Sequence, residues 1–437
     1  MLHLLVLGAA FAVLLAMATA RPMVGVLAFD WISLMNPQQD LYGFGAHAPW
    51  ALLAALATLI GCMVRQEPRR LPMTSTQILI LGYAGLITLN SVFALVPAHV
   101  EMHGYIPLMK SLGFVLLAGA LLTSRRRLHA VIWIMVVSIG YYGVRGGVFT
   151  LLTGGDDHVY GPANTFIGDN NQLAVALLMT IPLMNYLRLH TLHRTVRIGL
   201  VAAMVLSLLA VVATYSRGGL IALAAMGVRF WWNGKNRAAN FLLIGLVLVA
   251  AIGFMPAEWQ ARMFTILHFH HSNSANDRLT IWREAVGIAL HNPLTGGGFQ
   301  ATAIPSVLHR YFPLAHQRAT HSIWFEVLGD QGFPALIMWI ALNVNGLLMA
   351  RRVAREAGTD PSLAWLGDLG RMVEVSIIAF MVGGSLLSLA YYDYFFMLLT
   401  VVSSAFLLLR GALVQADPIH AKPKRAPGWR DRRAALQ

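Results

Sequence analysis

The sequence predicts an all-α fold: a polytopic membrane helix bundle of about 12 transmembrane helices, with an α-helical extracytoplasmic domain in a long late loop. Composition is the first reason. Of 437 residues, 57% are hydrophobic and 12% charged, against about 25% charged in soluble domains, and the mean hydropathy is +0.63. The second is the recurrence of apolar runs of membrane-crossing length. The third is the sorting of Lys and Arg into alternate connections.

The runs lie near 4–20, 22–37, 50–64, 75–97, 106–123, 129–150, 171–187, 198–215, 217–233, 239–256, 321–350, 372–391 and 394–410. The first two are short enough to be half-spans. Residues 1–20 end in Ala-Thr-Ala, as signal peptides do, but no Lys or Arg precedes the apolar run, so they read as a retained segment. One set of connections is basic: RQEPRRLP (65–72), SRRRLH (124–129), RLHTLHRTVR (188–197), RFWWNGKNR (229–237) and RRVAREAG (351–358). The C-terminal tail adds Lys422, Lys424, Arg425, Arg430, Arg432 and Arg433. The alternate set, NPQQDLYGFGAH, PAHVEMHG, TGGDDHVYGPANTFIGDN and YYDYFF, contains no Lys or Arg. The positive-inside rule places the basic set and the C-terminus in the cytoplasm and the other set outside. The net charge of +13 then reflects topology. No basic run is interleaved with aromatics in the manner of a nucleic-acid site, and no nucleic-acid partner is expected. The lone Cys62 excludes an intrachain disulfide and a cysteine metal site.

The outer connection from about 256 to 320 is too long for a turn and too polar for a span. WQARMFTIL and DRLTIWREAVGIAL carry apolar residues at helical spacing, and HNPLTGGGF breaks the pattern, so amphipathic helices on the membrane face are expected. There is no strand alternation and no repeat of fixed period. The expected organisation is an N-terminal bundle (1–256), an amphipathic-helix domain (257–320), C-terminal transmembrane helices (321–410) and a basic tail (411–437).

Against this charge map, Arg145, Arg217, Arg262, Arg278, Arg283, Arg310 and Arg318 fall on the outer side. Charges at membrane depth are costly and tend to be paired or functional. Arg262 and Arg283 have Glu258 and Glu284 as ordinary surface partners, and Arg310 reads as a solvated loop residue. Arg217 (in ATYSRGG) and Arg145 (in YYGVRGG) differ: each closes the outer end of a span and is followed by two glycines, which allow close backbone approach. A snorkelling arginine is the plain alternative. A guanidinium beside exposed backbone N–H groups matches phosphate oxygens, and with Arg278 and Arg318 the two predict a shared phosphate-binding cavity.

In QRATHSIWFEVLGDQGFPALIMW (317–339), His321 opens a span from the outer side, with Thr320 or Ser322 available as a cap. Histidine titrates near neutral pH and is the commonest general base. Glu326 and Asp330 fall four apart, on one helical face. His291, His309, His316 and the HFHH run (His268, His270, His271) are further outer histidines. HFHH lacks carboxylates at ligand spacing. Metal-sugar D-x-D, P-loop, GxSxG and HExxH patterns are absent, and Asp156-Asp157 is an adjacent pair. No metal and no cofactor are expected.

The order and sidedness of these motifs resemble the O-antigen ligase and polymerase superfamily over about residues 75–410. The motifs are T-x-S-R-G (Thr214, Ser216, Arg217, Gly218), R-L-x-x-W with HNPLTGGGF (Arg278, Leu279, Trp282, Pro293, Gly296, Gly298), and His321 with Asp330 and Gly332. The stretch YYGVRGG…VYGP…FIGDNN is similar to the exosortase-associated O-glycosylation ligases of that superfamily. The superfamily usually has His-Asn where this chain has His321-Ser322, and often Glu where it has Asp330. The resemblance implies a multi-pass protein of the bacterial inner membrane with a periplasmic active site, surrounded by membrane lipids. The implied activity is metal-independent, inverting glycosyl transfer from a glycan on undecaprenyl diphosphate to a hydroxyl of lipid A–core. His321 would be the base, and Arg217, Arg278, Arg145 and Arg318 would hold the diphosphate. A glycan polymerase and a protein O-oligosaccharyltransferase are alternatives within the superfamily. A polyprenyl-glycan flippase or transporter is an alternative of another class, and would show inverted repeats and midplane charges.

Overall fold

The computed structural model describes residues 2–40, 48–67, 71–233, 253–264, 273–358 and 360–416. The predicted span at 239–256, except its last four residues, lies outside them. So do His268, His270, His271 and the basic residues of the tail. Among the described residues all regular elements are helical. The fold is that of a polytopic helical membrane protein.

Helices α1 (Leu2–Ala20), α2 (Pro22–Met35) and α3 (Trp50–Arg65) pack on one another. Pro22 at the first position of α2 separates it from α1, and Asn36 in the left-handed region ends it. The long helices follow: α4 (Ser75–Val92), α5 (Ala98–Leu121), α6 (Arg125–Thr153), α7 (Asn170–His190), α8 (Arg194–Ala213) and α9 (Arg217–Asn233). Ser124 and Asp169 cap α6 and α7 through hydrogen bonds from Arg127 N and Asn171 N. Three helices, the short α10 (Ala257–Phe264) and α12 (Pro305–Tyr311) with the longer α11 (Asn273–His291) between them, precede α13 (Ile323–Glu356), α14 (Ala364–Gly384) and α15 (Asp393–Ala416). Seven helices are long and apolar enough to cross a membrane among the described residues: α4 to α8, α13 and α15.

Some boundaries differ from those expected. Most of PAHVEMHG belongs to α5, because the buried Glu101 carboxylate is used inside the fold. The predicted run 372–391 ends as helix at Gly384. Residues 385–392 form an ordered loop whose Ser388 and Ala390 bond to other elements.

Helix α7 is apolar nearly all round and lies at the centre, against α6, α8, α9 and α14, as expected of a helix buried on every side. Trp339 of α13 is wholly buried among Tyr83, Phe380, Phe395 and Phe396, with ring centroids 5.1–6.3 Å away.

Two ends of the bundle differ. The helix ends that flank the connections after α3, α5, α7 and α13 are basic and tied by ion pairs such as Arg127–Glu67 (3.2 Å) and His190–Asp368 (2.9 Å). The opposite end gathers the α6–α7 loop, the α8–α9 turn, α10 to α12 and the loop 385–392. There, HNPLTGGGF docks onto α13. Gly297 N and Gly298 N donate to the carbonyls of Gly329 and Asp330 at 2.9 and 2.8 Å. Glu101 accepts from Phe299 N at 2.9 Å, and Asp330 accepts from Ala301 N at 3.1 Å and Tyr391 OH at 3.2 Å. Gly332 interrupts α13 with φ 76° and ψ −177°. A Cβ there would fall 2.8 Å from the Pro293 carbonyl oxygen, so only glycine fits both the dihedral and the contact.

Candidate active site

The α8–α9 turn spans three residues, Thr214 to Ser216, and is heavily tied. Asn170 Nδ2 donates to Thr214 O at 2.6 Å, and Tyr215 OH to Gly155 O at 2.8 Å. Ser216 Oγ accepts from Gly219 N at 2.9 Å, capping α9. Tyr215 sits at φ 56°, an uncommon conformation for a bulky residue that these bonds hold in place. Arg217 is therefore presented from the first turn of α9 by a rigid support.

Helix α11 supplies the facing wall. Trp282 stacks on Phe325 (4.9 Å, 14°) and donates to Thr320 O at 2.9 Å. Asp277 and Arg278, about a turn earlier, and Ile281, next to Trp282, line the cavity. Trp259 of α10 donates to Val212 O at 2.9 Å, which sets Arg262, one turn on, at the same cavity. Arg318 pairs with Asp277, and Thr302 Oγ1 donates to its carbonyl at 3.0 Å.

His321 adopts φ 48°. Its backbone N–H donates to Ser388 Oγ at 3.0 Å, which also lies 3.3 Å from Thr320 Oγ1. Gln172 Nε2 donates to Ser388 O at 2.8 Å. Ser388 thus fixes the base of the histidine from a loop 67 residues away in sequence. By position the cap of α13 is Ser322, whose side chain makes no capping bond; Thr320 is turned to Ser388.

Together these elements enclose a cavity of about 240 Å³ lined by Asn171, Tyr215, Arg217, Arg262, Asp277, Arg278, Ile281, Arg318 and His321. Among these lining residues stand four guanidiniums and one carboxylate. Burial, and then the neighbouring Arg217, press the Arg278 pKa below its ordinary value; an anion between them offsets both. Burial, then the Arg278 charge, lowers the His321 pKa from the ordinary 6.5, with Asp169 opposing. His321 is accordingly a neutral imidazole at pH 7, able to accept a proton.

Residues 202–340 match the O-Antigen ligase family. This match supports membership of the O-antigen ligase superfamily. The matched segment contains every cavity residue except Asn171. Membership implies a ligase- or polymerase-type glycosyl transfer on lipid-linked glycans, in a multi-pass membrane protein. Residues 1–192 match a family of unknown function, DUF5935. No curated protein matches the chain.

Arg217, Arg278, Arg318 and His321 are brought together at this one cavity. Arg145 is not. It lies inside α6 with an exposed side chain and does not line the cavity. The glycines after it serve helix packing. A Cβ on Gly147 would come 2.3 Å from the Leu206 carbonyl oxygen, and one on Gly146 2.6 Å from Val159. Arg262, read as a surface residue, lines the cavity instead. Arg283 and Arg310 are exposed. Glu326 and Asp330 hold loops: Glu326 accepts from Ala390 N at 3.0 Å. Asn171, Tyr215 and Asp277 carried no signal of their own beyond their nearness to quoted motifs.

Proposed function

We propose that this protein is an O-antigen ligase of the bacterial inner membrane. It transfers a glycan from undecaprenyl diphosphate to a hydroxyl of lipid A–core, with inversion, at a site facing the periplasm. The observation that carries the reading is the cavity itself, in which four guanidiniums and one histidine line a single space. Arg217, Arg278, Arg318 and Arg262 hold the diphosphate and neutralise the charge that grows on it as the C1–O bond breaks. The imidazole of His321 takes the proton of the acceptor hydroxyl as its oxygen bonds to C1. The electron pair of the broken bond leaves with undecaprenyl diphosphate. The absence of Lys and Arg from the α6–α7 loop and from residues 391–396 supports a periplasmic site. Arg145 does not share the cavity and has no part in this mechanism.

The test is reconstitution. Purified protein in lipid nanodiscs is mixed with undecaprenyl-diphosphate glycan and lipid A–core in the presence of a chelator. A lipid A–core band shifted upward on a gel, with release of undecaprenyl diphosphate, supports the ligase. Longer glycans on the polyprenyl carrier alone identify a polymerase, and absence of any released diphosphate overturns the transferase reading.

A further inference from the structure

The cavity has one chemically different edge. Tyr215, 3% exposed, forms its wall, and the α6–α7 loop is stacked behind it. His158 lies on Tyr215 with centroids 4.1 Å apart and planes at 21°. Tyr160 is next to His158 in turn, with centroids 6.1 Å apart and the same interplanar angle. Tyr160 is 61% exposed, so the stack runs from the cavity wall to an open ring face. The loop is built rather than slack: Val159 N donates to Ala213 O at 3.0 Å, and Thr165 Oγ1 to Pro162 O at 2.8 Å. The charge acting on this stack is mixed, with carboxylates beside an arginine. Arginines stand on the cavity side. The carboxylates of Asp157 and Glu258, together with the Arg262 charge, act on His158, and those of Asp156, Asp157 and Glu258 act on Tyr215.

A diphosphate needs the arginine side. A neutral, polyhydroxylated ring needs the other: an aromatic face for its C–H groups, and carboxylates to accept from its hydroxyls. We propose that Tyr160 and His158, with Asp157 and Glu258 beside them, form a glycan subsite that holds the sugars next to the diphosphate of the lipid-linked donor. This rests on the donor proposed above. Tyr160, His158 and Asp157 lie in residues 1–192, the part matching a family of unknown function. The subsite gives that part a role in choosing the glycan, while residues 202–340 supply nearly all of the diphosphate cavity.

The experiment compares binding of two probes in nanodiscs: bare undecaprenyl diphosphate, and undecaprenyl diphosphate carrying an oligosaccharide. Tyr160→Ala is expected to weaken binding of the glycan-bearing probe about tenfold, the order of a lost aromatic contact, and to leave the bare carrier unchanged. Tyr160→Trp, which keeps an aromatic face, is expected to restore affinity. Equal weakening of both probes overturns the subsite and makes Tyr160 an interfacial anchor; so does no change in either. If the unmutated protein prefers neither probe over undecaprenol, the diphosphate-donor reading itself falls, and the subsite with it.

Discussion

At the basic end, Glu374, 2% exposed, lies between Arg229 and Arg351, Glu356 takes Arg352 and Arg410, and Asp368 takes Arg371 and His190. At the other end, four arginines and one carboxylate line a single cavity. The same residue type is therefore used in two ways. Where guanidiniums reach a carboxylate, even one shared by two cations, the charge is settled inside the protein and ties helices together. Where guanidiniums outnumber carboxylates around a space, the charge is directed at something that enters. Position relative to the membrane cannot by itself distinguish these uses; the local ratio of acids to bases can.

This contrast can be broken by substitution, beginning with the largest effect. His321→Ala should cut transfer by about 10²–10⁴-fold while the protein still elutes as a folded species. Because burial and Arg278 lower the His321 pKa, wild-type turnover should fall only as pH drops below 6.5. Arg278→Gln, by removing one of the lowering charges, should move that acid limb upward. Next, Arg217→Lys keeps the charge and loses the planar fork, and should cost about 10²-fold in turnover; Arg371→Lys at the basic end should leave turnover near wild type. Equal losses in the two would erase the distinction between ends. Ser388→Ala should lower kcat about tenfold with KM unchanged, since it loosens the backbone beneath His321 without touching the anion site, and Ser388→Thr should recover most of it. Glu374→Ala should have the smallest effect on catalysis. It strands Arg229 and should destabilise by about 3 kcal/mol, read as a lower Tm, while the folded fraction keeps its specific activity.

Much of this was legible in the sequence. Hydropathy and charge alternation are sufficient for a helical bundle, because a membrane leaves few other choices for the backbone. Arg217, Arg278 and His321 could be grouped because each carries a local motif, and Arg318 because it stands on the outer side three residues before His321. Arg145 could not be separated from them, since a Gly-Gly pair serves an anion site and a close α6–α8 crossing equally well. Arg262 was hidden because its place depends on Trp259 docking onto Val212, a contact between distant segments. Ser388 was hidden for the same reason. Asp330, quoted with the His321 motif, is a clamp: its carboxylate is consumed by Ala301 N and Tyr391.

The central claim is that the arginine cavity binds a diphosphate and that His321 acts only afterward. Equilibrium binding of undecaprenyl diphosphate to the wild type, Arg217→Lys, Arg278→Gln and His321→Ala in nanodiscs tests it most directly. The account predicts weakened, salt-sensitive binding in both arginine variants and near wild-type affinity in the inactive His321→Ala. Unchanged affinity in the arginine variants, or lost affinity in His321→Ala alone, would contradict it.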